Sequence, residues 1–234
     1  MLAVVWDSPL LWAVVIAWIL SVTLHEFAHG IVAYFGGDYT IRERGGLTLN
    51  PLQYIDPIMS IVLPLVLLLM GGIPLPGGVT YVRTDLLRSR AWDTAVSLAG
   101  PAMNFLIFLL CVIPLHPSVG WVDPHDPGGW TDAQMFVGAM CVLQFLSVIF
   151  NLVPVPPLDG FRAIAPYLKN ETRLMLSTPP TSTVLFIAYF FLILQIPQFQ
   201  AAVGRLLVGT LLRLGLDRFT IDGVGYAFET VFRR

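Results

Sequence analysis

The run His25-Glu26-Phe27-Ala28-His29 sets two imidazoles four residues apart. On a helix that spacing stacks them one turn apart on one face, where two ring nitrogens can share a zinc ion. Glu26 then points beside the metal, and its carboxylate can take a proton from an attacking water and pass it on. The pattern also arises by chance in soluble chains. Here it falls inside an apolar stretch, where an ionisable group costs at least about 2.5–3.5 kcal/mol on insertion scales and so marks function. Of the chain's four histidines, this motif holds two.

A catalytic zinc takes three protein ligands and keeps one position open. His116 and His125 share a loop with Asp123, Asp126, Gly128 and Gly129, which reads as a solvated turn and not as a source of ligands. Asp159 lies at the end of Asn151-Leu-Val-Pro-Val-Pro-Pro-Leu-Asp159-Gly160. The prolines cannot continue a helix. At membrane depth the extended backbone they force is tolerated where it is buried in protein or lines a cavity. Asp159 is therefore a candidate third ligand, or equally the N-cap of a helix over Phe161–Leu168. Cys111 and Cys141 form no CxxC pair and read as small apolar core residues.

These groups need a membrane scaffold. Hydrophobic residues make up 56% of the 234-residue chain and charged residues 12%, against about 25% charged in a soluble domain; mean hydropathy is +0.76. The net charge of −2 and the lack of basic or low-complexity runs give no sign of nucleic acid or disorder. A transmembrane helix takes about 20 apolar residues. Four stretches qualify: 9–35, 94–115, 133–153 and the shorter 183–196. Ile58–Met70, short and interrupted by Pro64, suits a re-entrant or interfacial piece. Ala201–Leu216, with Arg205 and Arg213, suits a short span or an interfacial helix. Partial alternation at Tyr39–Arg42, the Gly45-Gly46 break and Leu47-Thr48-Leu49 predict a small surface β hairpin. Met1–Ser8 has no Lys or Arg and includes Asp7, so the first stretch does not read as a signal peptide. The expected fold is one all-α polytopic unit of about 5–6 membrane helices with that hairpin, its catalytic core over about 9–170 and C-terminal helices over about 183–216.

Taken together, His25–His29, Gly100-Pro101-Ala-Met-Asn104 and Asn151…Leu158-Asp159-Gly160 resemble the site-2 protease family of intramembrane metalloproteases, in its short form without a PDZ or CBS domain. Gly46-Leu-Thr-Leu-Asn50-Pro51…Asp56-Pro57 is similar to its short bacterial and archaeal members. The resemblance implies that His25, His29 and Asp159 hold one zinc ion and that Glu26 is the general base. It places Asn151 near the scissile peptide, as an oxyanion or backbone contact or as an interhelical hydrogen bond. Asn104 reads as interhelical packing. Members carry a Pro-rich strand before the GPxxN helix, where this chain has Gly77-Gly78-Val79-Thr80-Tyr81-Val82.

Charge supports this layout. If His25 and Asp159 meet, their helices run in the same direction. The basic residues Arg42, Arg44, Arg83, Arg88, Arg90, Arg162, Lys169 and Arg173 then share one face, and the 116–131 loop, which has none, lies on the other. By the positive-inside rule the first face is cytoplasmic, in the inner or plasma membrane of a prokaryote. The expected substrates are single-span membrane proteins, unwound and docked as a strand, with Tyr39–Leu49 as the expected edge and the Pro154–Pro157 loop beside the water path. A metal transporter, or a silent relative that binds membrane partners, are the other classes to weigh.

Overall fold

The computed structural model describes residues 8–69 and 75–232. Most of the Met1–Ser8 stretch, Met70 and the Arg233-Arg234 tail lie outside them. Helix α1 (Pro9–Gly36) starts where the Ser8 side chain accepts the Leu11 N–H and Pro9 presets the first turn. It stops at Gly37, whose φ of 123° side chains rarely adopt. A one-turn helix, α2 (Thr40–Glu43), follows, then a 3-10 turn (Pro51–Tyr54), a π-type turn (Pro57–Val62) and α3 (Leu63–Leu69). Helix α4 (Arg90–Leu115) is capped by Ser89 and continues through Pro101 and Pro114. Helix α5 (Asp132–Leu152) opens on a capping box between Thr131 and Gln134 and ends at the proline-rich run. The chain closes with α6 (Asp159–Ile164), α7 (Asn170–Ser177), α8 (Thr181–Gln195), α9 (Pro197–Arg213) and α10 (Arg218–Phe232).

Among the described residues, helices α1, α4 and α5 are long and apolar enough to cross a membrane, and α7 with α8, bent by 63°, makes a fourth if the pair is one span. This makes the chain a membrane protein, with fewer full spans among the described residues than the five or six expected. Outward residues such as Ile16 (58%), Leu110 (57%) and Ile187 (62%) are exposed; on apolar helices such a surface belongs against lipid.

Helix α4 packs between α1 and α5, and α10 lies along the other side of α5. One core joins Phe108, Leu115 and Phe145 to Leu211 and Val224; a second gathers Leu11, Val14, Ala139 and Leu143 with Phe232. In lipid these contacts gain little from the hydrophobic effect, so close packing and interhelical hydrogen bonds hold the bundle. Gly223 and Gly225 dilute the apolar pattern over 218–232, so no helix is expected there. The structure forms α10 because Gly223 lets it lie flat against the Trp130 indole.

The expected β hairpin is absent: the described residues contain no strand. Asp38 is fully buried and turns the backbone into α2 instead. Its carboxylate accepts from Thr40 Oγ1 (2.5 Å), Arg44 Nη2 (2.8 Å) and the Arg83 N–H (2.9 Å). Helical i→i+3 bonds such as Ile41 N–H to the Asp38 carbonyl then replace a ladder. Across from it, Leu49 is 59% exposed and pairs with no strand.

Candidate metal centre

Two helices deliver the ligands of the centre. His25 and His29 sit one turn apart on α1, and Asp159 begins α6. The N-cap of α6 is Leu158, and no side chain caps it, so Asp159 is the first helical residue and its carboxylate is free to reach α1. Gly160 lets α6 start tight against the end of α5, because a Cβ there would strike the Leu152 carbonyl. Thr94 Oγ1 ties α4 to α6 through the Ala163 carbonyl (2.8 Å).

The two Nε2 atoms are 3.1 Å apart, and Asp159 Oδ2 lies 3.1 Å from His25 Nε2 and 3.3 Å from His29 Nε2. All three groups are buried. On the far side of each ring, His29 Nδ1–H donates to the Val96 carbonyl (2.6 Å), and His25 Nδ1–H donates to Asn104 Oδ1. A carbonyl oxygen can only accept, so both rings keep their proton on Nδ1 and turn the Nε2 lone pair inward. With both rings neutral, two nitrogen lone pairs and a carboxylate oxygen face one point, and a cation there would offset their mutual repulsion. Tetrahedral N and O ligands at about 2.0–2.2 Å from zinc stand roughly 3.2–3.6 Å apart, and the observed separations come within a few tenths of an ångström of this. Gly100 keeps the point open, since a Cβ there would collide with both Nε2 atoms. The donor set and the space fit zinc.

Glu26 is buried beside this point. Its carboxylate makes no hydrogen bond among the described residues, while its backbone carbonyl accepts from Thr80 Oγ1 (3.1 Å). Gly78 lies against it: a Cβ on Gly78 would come within 3.1 Å of Glu26 Cγ and 3.0 Å of Val22 Cγ1. Burial, and then the charge of Glu26, push the nearby Tyr54 phenol up to about 12.

Residues 75–83 run extended along α1 past Glu26. One edge of this run is tied down, by Gly77 N–H to the Met59 carbonyl (3.1 Å) and Val79 N–H to the Tyr54 carbonyl (2.9 Å). Its ends are anchored by Trp18 Nε1 to the Pro76 carbonyl (2.8 Å) and by Arg83 N–H to Asp38. The other edge, with the N–H groups of Gly78, Thr80 and Val82, makes no hydrogen bond among the described residues. Sequence reasoning missed it because glycine and proline mask its extended character, although the GPxxN resemblance had marked its location. It also missed Val96, a carbonyl without a side-chain signal, and Gln144, a lone amide in an apolar helix that accepts from Asn104 Nδ2 (2.6 Å).

The remaining candidates lie elsewhere. Asn151 Nδ2 donates back to the Ser147 carbonyl one turn earlier (3.1 Å). His116 binds Ser118 (2.7 Å) and His125 packs at a tilt against Phe219, ring centroids 4.6 Å apart, at the opposite end of the bundle. Cys111 and Cys141 are free thiols in the helix packing.

Comparison with known proteins adds relatives named for an inferred zinc metalloprotease activity. Rip2 of Mycolicibacterium smegmatis is 39% identical over 160 residues, 68% of this chain and 59% of the relative. Rip2 of Mycobacterium tuberculosis is 35% identical over 179 residues, 76% of this chain and 66% of the relative. YwhC of Bacillus subtilis is 34% identical over 154 residues, 64% of this chain and 66% of the relative. The chain therefore spans somewhat less than two thirds of these relatives. No family profile and no solved structure matches it.

Proposed function

The chain belongs to the site-2 protease family, and from that premise we propose that it is an intramembrane zinc metalloendopeptidase that cuts membrane-spanning segments of other proteins. The observation that carries the reading is the convergence of His25, His29 and Asp159 on one point beside an unengaged Glu26.

His25, His29 and Asp159 would hold the zinc. Bound there, zinc supplies Lewis acidity that polarises a peptide carbonyl and makes water nucleophilic near neutral pH. Val96 and Asn104 keep both imidazoles in the ligating tautomer throughout. Glu26 removes the proton from the attacking water and returns it to the leaving amine nitrogen as the C–N bond breaks.

A membrane-spanning helix hides its peptide bonds, so the substrate must unwind before it can be cut. The free N–H and C=O groups of Gly78, Thr80 and Val82 suit an added strand, and Gly78 sets that strand beside Glu26. The 78–82 edge thus takes the role expected of Tyr39–Leu49, which folds as a helix and turns. Asn151 is the penultimate residue of α5 and is retained as a candidate for holding the substrate backbone. Single-span membrane proteins are the substrate class. The basic face around Arg42, Arg83, Arg88 and Arg173 is assigned to the cytoplasm of the cell membrane.

The test is cleavage of a single-span substrate by purified protein, with and without a zinc chelator. Glu26→Gln should keep its metal and lose about 10²–10⁴-fold in rate. Full cleavage by that variant rejects Glu26 as the base, and cleavage untouched by chelation rejects the zinc mechanism.

A further inference from the structure

Gln144 is fully buried in the middle of α5, among Met140, Leu143, Phe145 and Val148. Its Oε1 accepts from Asn104 Nδ2 (2.6 Å), while its Nε2 has no partner among the described residues. A buried amide with unmet N–H groups destabilises a fold, so packing does not account for a glutamine at this position.

Polarity does. An amide can present either its oxygen or its nitrogen to a neighbour. If Asn104 turned its –NH₂ toward His25, that ring would have to accept at Nδ1 and carry its proton on Nε2, leaving no lone pair for a metal. With Asn104 Oδ1 toward His25, its Nδ2 points away into α5 and needs an acceptor in an otherwise apolar helix. Gln144 Oε1 is that acceptor. The three side chains form one directional line, His25 Nδ1–H to Asn104 Oδ1 and Asn104 Nδ2–H to Gln144 Oε1, running across α1, α4 and α5. We infer that Gln144 is a positioning residue for the metal centre, holding the Asn104 amide in the orientation that keeps His25 Nε2 free to ligate. This inference rests on the metal-centre reading.

Two variants separate orientation from packing. Gln144→Leu removes the acceptor and also removes the orphan Nε2, so the metal-free protein should unfold at close to the parent temperature. Its zinc dissociation constant, measured against a competing chelator, should rise about 10–100-fold. Gln144→Glu keeps an acceptor oxygen facing Asn104 and should bind zinc like the parent. Nitrogen-15 spectra of the labelled histidines report which His25 nitrogen carries the proton, and Gln144→Leu should show the Nε2–H form entering. Unchanged zinc affinity in Gln144→Leu overturns the inference, as does an affinity loss that follows a matching fall in metal-free stability in both variants. If Gln144→Leu does not fold, Gln144→Met, which keeps the side-chain length without a strong acceptor, is read in its place. Asp159→Ala in the same assay tests the centre itself. Retained metal there rejects the centre, whereas metal lost in Asp159→Ala but kept in Gln144→Leu rejects the positioning role alone.

Discussion

At the residue scale, the centre depends on what each side chain is prevented from doing. As neutral rings, His25 and His29 cannot carry their hydrogen on Nε2 without giving up an Nδ1–H bond to Asn104 or Val96. Gly100 cannot carry a side chain without filling the point where the three ligands converge. Gly100→Ala is therefore expected to lower zinc affinity by at least about tenfold, the loss typical of a disturbed ligand environment. Metal analysis of the purified variant checks this, and circular dichroism should show its helices intact, because alanine suits a helix interior better than glycine.

Among the elements, the extended run 75–83 does the positioning that no long helix can, and Asp38 pins its end. Burial pushes the Asp38 carboxyl up, but the bonds from Thr40 and the Arg83 N–H, with the Arg44 charge, outweigh it and hold the group below its ordinary value. A depressed carboxyl stabilises the fold above its unfolded pKa, near 3.8, and that stability is lost as the pH falls through the lower folded value. Asp38→Asn should cost about 1.5–3 kcal/mol at neutral pH, the worth of hydrogen bonds to a charged group. Its stability should also fall less steeply than the parent's below pH 3.8; thermal unfolding followed across pH measures both. Gly78→Ala is the companion test of the proposed docking edge. Its Cβ presses on Glu26 Cγ at 3.1 Å, so kcat should fall while bound zinc stays constant, as steady-state kinetics with parallel metal analysis would show.

Over the whole molecule, the charges agree with the chemistry. The α1–α4 connection and the α6–α7 region gather Arg42, Arg44, Arg83, Arg88, Arg90, Arg162, Lys169 and Arg173, while the α4–α5 loop has no Lys or Arg. The α9–α10 turn meets the α4–α5 loop, where Gly215 abuts His116 and Phe219 packs against His125. Arg213 and Arg218 therefore flank the opposite face, and the bias still favours the first. With the cytoplasmic assignment, a membrane-impermeant maleimide should label Val119→Cys on intact cells and Lys169→Cys only after permeabilisation; both positions are exposed. The reverse pattern inverts the orientation. Background should be low, since Cys141 is buried and Cys111 half-buried.

The sequence alone determined whatever local periodicity and side-chain chemistry encode. Runs of apolar residues located α1, α4, α5 and α8 to within a few positions, because a helix in lipid must satisfy its own backbone and can do so only over a long apolar stretch. The spacing of His25 and His29 placed two ligands on one helical face. Tertiary structure decided everything that depends on a partner distant in the chain. Residue types alone left Asp159 as a cap or a ligand, and the choice came from the packing of α6, which sets the Asp159 carboxylate against His25 and His29. Tyr39–Arg42 alternates enough to suggest a strand, but a strand needs a neighbour to bond, and the buried Asp38 carboxylate offered nearer partners. Gln144 and the Val96 carbonyl are silent in one dimension, since a hydrogen-bond line through three helices acquires direction only when the helices are packed.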